Sequence, residues 1–436
     1  MTDVDLMLRF LVQILAILGS CRVIGWLGQR FLGQTQVVME MVVGVCLGPS
    51  LFGAFFPSAQ AWLFPSGPVG MLDGVPVKHP SMGVLYVIAQ LGLVLYMFLV
   101  GTEFDTALLG KRAKGAGGVS LAGIILPFAL GAMLAVGFAK AGRTDLFAPS
   151  VNVGEAALYL GASMCITAFP MLARILYERG IARTSMGVLA LGAGAADDAA
   201  AWAILAIVLA SYKHDPRYAL FAIVGGAIFA VLSQTVGKTG FRKLGEGVNG
   251  GGAMTQATFA VTMLCLFAGA WVTDALGIYA VFGAFLMGAA IPRGRFVEML
   301  REKLEFVTTS LFLPFFFVYS GLNMRLGLLD SAALWGICAL VCGAAILGKF
   351  GGCAIAARLA GEPWREACAI GTLMNARGLM ELIILNIGLQ QKVITPTLYT
   401  IMTLMAILTT LLASPLFRWI YRQSSARGLH EALEGA

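Results

Sequence analysis

Residues 186–210 read Met-Gly-Val-Leu-Ala-Leu-Gly-Ala-Gly-Ala-Ala-Asp-Asp-Ala-Ala-Ala-Trp-Ala-Ile-Leu-Ala-Ile-Val-Leu-Ala. Apart from two adjacent aspartates the stretch is apolar, and it exceeds the ~20 residues that a helix needs to cross ~30 Å of hydrocarbon. Open strands cannot cross lipid because their backbone groups would be unpaired, and the alternation expected of an outer-membrane barrel is missing. The stretch therefore predicts a membrane-spanning helix.

Twelve further apolar segments of similar length accompany it. The thirteen predicted spans are residues 6–27, 35–53, 82–101, 118–138, 154–175, 186–210, 218–236, 254–272, 275–292, 307–322, 333–357, 364–389 and 396–417. The chain is 59% hydrophobic and only 12% charged, whereas globular domains carry about 25% charged residues. We therefore expect an all-α polytopic membrane protein, and we exclude a soluble fold, a disordered chain and a nucleic-acid binder.

The distribution of lysine and arginine predicts the orientation of the chain in a cell (inner) membrane. Twenty of these cations fall in odd-numbered loops or the C-terminus, and seven fall in even-numbered loops. Because basic residues concentrate on the cytoplasmic side, the N-terminus is expected outside and the C-terminus in the cytoplasm. The first residues are acidic and no small-residue cleavage site follows, so the first helix is expected to be retained.

Short matches between segments seven apart indicate internal repeats. Segment two carries Gly44 and Gly48 where segment nine carries Gly283 and Gly288, and segments three and ten end in similar sequences. An odd offset reverses the direction of crossing, so the repeats would be inverted, as in many alternating-access carriers. The glycine-rich stretch 245–252 is then expected to form a flexible link between the halves.

The aspartate pair, Asp197 and Asp198, lies halfway along its span. Each ionised carboxylate at that depth costs roughly 3 kcal/mol, so a purely structural role, as protonated helix-packing groups, is disfavoured. Adjacent residues on a helix point about 100° apart. We therefore expect one carboxylate to meet a protein partner and the other to face a cavity.

Lys349 lies at a comparable depth on a different span. A lone buried ammonium either loses its proton or finds a carboxylate, and the candidates near mid-membrane are Asp197, Asp198 and Glu381. We therefore expect Lys349 to pair with one of these carboxylates. The alternative is that the side chain snorkels to the cytoplasmic interface.

Two spans contain signals for a broken helix. Segment five contains Thr167-Ala-Phe-Pro170, and segment twelve contains Asn375-Ala-Arg377-Gly378 followed by Glu381. Proline removes a backbone donor and frees carbonyls, which at membrane depth are tolerated in protein or around a water-filled cavity and suit cation coordination. The alternatives are a simple proline kink and a structural Arg377–Glu381 pair that compensates facing helix dipoles.

Together these motifs resemble the monovalent cation:proton antiporter-2 family, most closely its plant-type cation/proton exchanger branch. The signatures that carry the resemblance are Gly44 to Ser50, Leu99 to Asp105, Thr167 to Leu176, Asp197-Asp198, Gly283 to Leu286, Leu313 to Phe317 and Asn375 to Leu382. The resemblance implies a dimerisation subdomain over roughly 1–75 and 218–300, a core transport subdomain over roughly 82–210 and 305–417, and a short cytoplasmic tail at 418–436.

The resemblance also implies roles for single residues. Asp198 matches the carboxylate that binds cation and proton alternately, Asp197 matches its neighbour that pairs with the membrane lysine, and Lys349 matches that lysine. Thr167 matches a polar group at the crossing of the two broken helices. Kef-type potassium efflux systems usually have glutamine before the second aspartate and a C-terminal nucleotide-binding domain. This chain has Asp197 at the first position and only the short tail 418–436 after its last span, so gating by a tail domain is not expected.

We therefore expect a secondary active antiporter, not an enzyme, that exchanges Na+ or K+ for H+ by alternating access, as a homodimer and without a cofactor. Asp198 and Asp197 would hold the transported cation. Alternatives are a sodium-coupled organic-anion carrier of the same fold, a non-transporting sensor, and an intramembrane aspartyl protease, which would need aspartates on two helices. If cation entry also releases the Lys349 proton, exchange is electrogenic; otherwise it is one-for-one.

Overall fold

The computed structural model describes residues 3–421, except for 33, 35, 66–67, 73–74, 104–105, 144, 170–171, 173–174, 177–180, 182–183, 213–215 and 278. The chain divides into two compact units. The first unit comprises Met1–Leu27, Met39–Asp105 and Leu205–Arg325, and the second unit comprises Gly28–Val38, Thr106–Ile204 and Leu326–Ala436. Each unit is therefore assembled from separate stretches of the chain.

The first unit is held together by close helix packing at glycines. Its elements are α1 (Asp3–Leu27), most of α2 (Gln36–Leu47), α3 (Phe52–Phe55), α4 (Pro57–Leu63), β1 (Pro68–Leu72), β2 (Val75–Lys78), α5 (Pro80–Glu103), the end of α8 (Ser185–Tyr212), α9 (Pro216–Leu232), α10 (Lys238–Asn249), α11 (Gln256–Ala275), α12 (Ala280–Ala289), α13 (Arg295–Val307) and α14 (Leu313–Leu322). A Cβ on Gly44 would lie 2.9 Å from the Cα of Gly321, and one on Gly92 would lie 2.7 Å from the Phe312 carbonyl. Small residues allow this backbone approach, which supplies much of the packing energy between helices in lipid.

The second unit contains the long helices and the two broken ones. Its elements are the start of α2, α6 (Thr106–Lys140), α7 (Val153–Cys165), most of α8, α15 (Ala332–Leu359), α16 (Trp364–Met374), α17 (Leu379–Gln390) and α18 (Pro396–Tyr421). Helix α6 packs against α7 and α15, with Gly131 beside the Leu160 carbonyl and Gly352 beside the Ala122 carbonyl. These contacts hold α7 and α15 against α6.

The all-α fold class is confirmed, with one short antiparallel ribbon, β1–β2, as the exception in the described chain. Each of the thirteen predicted spans contains helix. Among the described residues, eight helices are long and apolar enough to cross a membrane, and Ala280–Ala289 and Met380–Gln390 are shorter apolar helices. The exact number of thirteen crossings is not confirmed and stays a prediction.

The flexible link expected at residues 245–252 is wrong for its first half. Helix α10 extends to Asn249 and buries Phe241, Gly245 and Val248 on one face, where Gly245 packs against the ring of Phe296. A larger side chain at position 245 would clash with that ring, which explains the glycine at this position. Only the turn that follows, with Gly251 at φ +102°, uses the conformational freedom of glycine.

The two units also differ from the predicted subdomain boundaries. The expected core included residues 82–101 and 305–322, but α5 and α14 belong to the first unit. The reason is packing: α5 contacts α12 and α14 through glycines, including Gly101, which lies against the Phe285 carbonyl. The assignment of one subdomain to dimerisation and the other to transport stays a prediction.

Candidate functional site

Two helices of the second unit end abruptly and meet at their broken ends. Helix α7 ends at Cys165 and the chain is non-helical over 166–168, while α16 ends at Met374 and α17 begins at Leu379. The Ala168 amide donates to the Ala376 carbonyl at 3.0 Å. The two breaks are therefore joined through their own backbones. Pro170, the residue from which the first break was predicted, lies outside the described residues.

Asp197 is the best-satisfied carboxylate in this region. It lies on α8, is 1% exposed, and accepts three side-chain hydrogen bonds. Its Oδ1 accepts from Ser120 Oγ at 2.6 Å, and its Oδ2 accepts from Thr167 Oγ1 at 2.6 Å and Lys349 Nζ at 2.7 Å. The three donors come from α6, the α7 break and α15. Three elements thus converge on one carboxylate in the ionised, acceptor-only form.

Lys349 has an acceptor for each of its three ammonium protons. Besides Asp197, its Nζ donates to the Gly123 carbonyl at 2.9 Å and the Cys165 carbonyl at 2.5 Å. The side chain is 0% exposed, so it does not snorkel to an interface. Because a buried charge is tolerated when it is paired and hydrogen-bonded, the geometry fits a protonated lysine.

Asp198 differs sharply from its neighbour although it is equally buried, at 2% exposed. The backbone amide of Phe169 interacts with this carboxylate, but neither oxygen accepts a hydrogen bond of normal geometry from a described residue. The 100° step along the helix explains the difference, because Asp197 points to the three donors and Asp198 does not. Acceptor oxygens without protein donors suit a proton or a hard cation.

Arg377 and Glu381 form a second buried ion pair. Arg377 NH1 lies 3.1 Å from Glu381 Oε2, and the two side chains are 0% and 1% exposed. The guanidinium also donates to the carbonyls of Ser163 at 3.2 Å and Met164 at 2.6 Å. With Cys165 bound by Lys349, the last three carbonyls of α7 all accept from cationic side chains. Two cations therefore cap the negative end of this half-helix.

Asn375 lies at the end of α16 and takes no part in the carboxylate cluster. Its Nδ2 donates to the Gly371 carbonyl at 3.2 Å and lies 3.5 Å from the Ile346 carbonyl. Behind the break, Thr410 of α18 accepts from the Arg377 amide at 3.0 Å and donates to the Arg377 carbonyl at 2.8 Å. Thr410 thus satisfies backbone groups that the unwound segment exposes, whereas Asn375 donates to a carbonyl in the last turn of α16.

The structure brings most of the predicted site residues together but in two groups. One group consists of Asp197, Asp198, Thr167 and Lys349. The other is the Arg377–Glu381 pair, which is linked to the first group because Arg377 donates to a carbonyl at the end of α7. Ser120 and Thr410 were missed. A lone serine inside an apolar span was the available signal, but a serine hydroxyl commonly bonds to its own helix, so the pattern alone does not indicate a partner.

Comparison with known proteins extends over nearly the whole chain. Residues 15–423 match the model of the family described as sodium/hydrogen exchanger, transmembrane. The chain is 37% identical over 426 residues to the Na(+)/H(+) antiporter NhaS4 of Synechocystis sp. (strain ATCC 27184 / PCC 6803 / Kazusa), covering 96% of this chain and 98% of that protein. It is also 37% identical to Cation/H(+) antiporter 18 of Arabidopsis thaliana over 94% of this chain, and it spans about half, 49%, of that relative.

A solved structure shows the same fold at much lower sequence identity. The sodium proton antiporter MjNhaP1 from Methanocaldococcus jannaschii, at pH 8, matches with a TM-score of 0.57 and 15% identity. The match covers 95% of this chain and 96% of that chain. The similarity therefore extends over nearly the whole fold rather than over one part of it.

Proposed function

Because the chain belongs to the sodium/hydrogen exchanger family, we propose that it exchanges Na+ or K+ for H+ across the membrane, with Asp198 binding cation and proton alternately. The observation that carries the proposal is the contrast within the aspartate pair. Asp197 is saturated by three donors, whereas Asp198 is buried and accepts no hydrogen bond of normal geometry from the described residues.

The contrast supports a division of labour between the two carboxylates. Asp197 neutralises Lys349 and keeps the pair in place, so its charge is already compensated. Asp198 has no such compensation, and an ionised carboxylate in a low-dielectric site is costly unless a proton or a cation joins it. One carboxylate that must hold either ion makes exchange obligatory, because the empty, charged site crosses the membrane poorly.

Backbone carbonyls at the breaks would complete the cation site. Unwound segments at mid-membrane offer carbonyl oxygens that replace water around Na+ or K+. Most carbonyls at the end of α7 are occupied by Lys349 and Arg377, so these two cations tune the local charge rather than bind substrate. The transported ion would be held by Asp198, with Asp197 and Thr167 beside it.

Alternating access requires one part of the protein to move relative to another. We propose that the second unit, which holds the carboxylates, is the moving core and that the first unit forms the homodimer. The orientation that we propose has the N-terminus outside and the C-terminus in the cytoplasm of the inner membrane, following the basic residues. Light scattering in lipid nanodiscs tests the dimer, and a uniformly monomeric protein would contradict that part.

The decisive experiment is pH-gradient collapse in proteoliposomes. An acid-inside gradient is imposed, and Na+, K+ or Li+ is then added separately outside. The expected result is rapid alkalinisation of the lumen with Na+ or K+, no response in Asp198→Asn, and a partial response in Asp198→Glu. The matched control is Asp330→Asn, the same change at an exposed aspartate, which should behave like the wild type.

The same assay separates the proposal from its competitors. A carrier of organic anions with sodium would leave the pH gradient intact on adding Na+ alone, and a sensor would show no flux with any of the three cations. Either result would overturn the exchange function. Wild-type exchange by Asp198→Asn would instead overturn the assignment of the binding carboxylate while leaving exchange intact.

A further inference from the structure

We infer that Ser120 is a positioning residue for ion exchange: it holds the Asp197 carboxylate while the Thr167 hydroxyl moves between two acceptors. This inference rests on the proposed function and assigns a role to a residue that no sequence motif marks. It follows from the number of protons and acceptors around Asp197.

The Thr167 hydroxyl has one proton and two acceptors within reach. Its Oγ1 lies 2.6 Å from Asp197 Oδ2 and 3.2 Å from the Met374 carbonyl, across the junction of the two breaks. A hydroxyl donates one hydrogen bond at a time. When the proton turns to Met374, Asp197 loses a donor, so Thr167 alone cannot keep this carboxylate fixed.

The Ser120 hydroxyl is dedicated to the other oxygen of the same carboxylate. Its Oγ lies 2.6 Å from Asp197 Oδ1, and the residue is 4% exposed. With Ser120 on Oδ1 and Lys349 on Oδ2, the carboxylate keeps one donor on each oxygen whichever way Thr167 points. A carboxylate held at both oxygens cannot rotate toward Asp198.

The position of Ser120 on α6 also links it to Lys349. The carbonyl of Gly123, three residues further along the same helix, accepts from Lys349 Nζ at 2.9 Å. Residues three apart lie on one face of a helix. The same face of α6 therefore supplies a donor to the aspartate and an acceptor to the lysine, and it holds both members of the pair.

The surroundings of Asp197 contain other groups that a pH measurement must take into account. Among the described residues, the titratable side chains that interact electrostatically with Asp197 or Lys349 are Asp198 on α8, Cys165 at the end of α7, Cys353 on α15 and Glu381 at the second break. Arg377 interacts in turn with Cys165 and Glu381. None of these side chains donates a hydrogen bond to Asp197 in the described chain, so replacing Ser120 changes only the hydroxyl donor.

The test is the pH dependence of exchange in proteoliposomes for Ser120→Ala and Ser120→Thr. Without the Ser120 hydroxyl, the Asp197 carboxylate can rotate toward Asp198. Its negative charge then opposes loss of the Asp198 proton, so a cation must displace that proton at higher pH. For Ser120→Ala we expect the midpoint of exchange to move to higher pH by about one unit, and the apparent KM for the cation below the midpoint to rise about tenfold. Ser120→Thr keeps the hydroxyl and should restore the wild-type midpoint.

The control is Ser233→Ala, the same substitution at a serine that is also 4% exposed. Within the described part of the chain, its hydroxyl donates only to the Ala230 carbonyl, one turn earlier. Its midpoint and KM should match the wild type. A Ser120→Ala protein that exchanges with the wild-type midpoint and KM would overturn the inference.

Two further measurements distinguish failure of this inference from misfolding of a variant and from failure of the proposed function. Size-exclusion chromatography establishes that each variant is folded, and if Ser120→Ala is not, Ser120→Cys, a weaker donor, carries the test with a smaller shift in the same direction. Absence of that shift would also overturn the inference. Absence of exchange in the wild type would overturn the proposed function instead.

Discussion

The two units of the molecule are stabilised in opposite ways. In the first unit, Gly44 and Gly321 bring backbones into direct contact, and the Arg301–Glu103 ion pair is partly exposed, with side chains 34% and 35% accessible. In the second unit, the Lys349–Asp197 pair is 0% and 1% exposed. The first unit should therefore be sensitive to added volume, and the second to lost charge.

Lys349→Ala is expected to have the largest effect of any change considered. It leaves Asp197 as a buried, uncompensated charge, which destabilises by about 3–5 kcal/mol. Thermal unfolding in detergent, followed by intrinsic tryptophan fluorescence, measures the loss. The matched change in the other unit, Arg301→Ala, removes a partly exposed pair and should cost less than about 1 kcal/mol.

The double variant Lys349→Ala with Asp197→Asn sharpens this prediction. With both charges gone, much of the lost stability should return, because the penalty comes from the unpaired charge rather than from the missing contact. Equal destabilisation by Lys349→Ala and Arg301→Ala would show that the contrast between the units is not electrostatic.

The sequence predicted the elements that hydropathy governs. Thirteen apolar segments all contain helix, and the pairing of Lys349 could be narrowed to three carboxylates because few charges lie at membrane depth. The breaks were predictable because Thr167-Ala-Phe-Pro170 and Asn375-Ala-Arg377-Gly378 interrupt otherwise continuous spans. These predictions depend on the free-energy cost of placing each residue type in a membrane helix, which can be judged without knowing its neighbours in the fold.

What could not be predicted depends on neighbours from distant parts of the chain. The Ser120–Asp197 hydrogen bond joins residues 77 positions apart, and hydropathy does not report which faces of two helices meet. The assignment of α5 to the first unit depends likewise on contacts made by Gly92 and Gly101. Gly245 was misjudged because glycine serves both flexible links and close packing.

Electrogenic transport is expected from the Lys349–Asp197 pair. If cation entry separates the pair, the lysine proton and one from Asp198 leave together, so that two protons exchange for one cation. Each net charge moved is worth about 2.3 kcal/mol per 100 mV of membrane potential. A cation jump at symmetrical pH on a solid-supported membrane should give a sustained current, and imposed voltage should drive proton flux.

Lys349→Arg is the matched variant for the electrogenic prediction. Arginine can pair with Asp197 but is not deprotonated in proteins, so any remaining exchange should lose its current and become one-for-one. Wild-type transport that ignores voltage would contradict electrogenic exchange while leaving the antiport function in place. It would mean that Lys349 only holds Asp197.

Gly44→Ala tests the packing side of the comparison. Its Cβ would lie 2.9 Å from the Phe317 carbonyl oxygen and from the Cα atoms of Gly321 and Val318, so the helices must separate, at a cost of about 1–3 kcal/mol. The control is Gly19→Ala on α1, where a Cβ meets nothing within 4 Å and alanine slightly favours the helix. Equal thermal stability of the two variants would contradict close packing as the basis of the first unit.

The smallest expected effect is that of pH on the first unit, through His79. Burial, followed by the charge of Arg9, lowers the pKa of His79. Arg9 donates to His79 Nε2 at 2.9 Å, and because arginine has no acceptor, this bond requires a neutral ring. The folded protein therefore binds fewer protons here than the unfolded chain, and the contribution of His79 is lost as pH falls below about 6.5.

We therefore expect the unfolding temperature to fall between pH 7.5 and pH 5 by about 1–2 °C more in the wild type than in His79→Gln, which cannot become charged. The expected difference is small because solvent screens the interaction between Arg9 and a partly exposed histidine.

The pH dependence of transport should not depend on His79, because we expect it to come from the buried carboxylates of the second unit. Replacing His79, His214 and His430 together should leave the midpoint of exchange nearly unchanged, although His214 and His430 lie outside the described residues. A midpoint shift above about one pH unit in that triple variant would show that a histidine senses pH. It would mean that the pH dependence of exchange does not come from the buried carboxylates of the second unit alone.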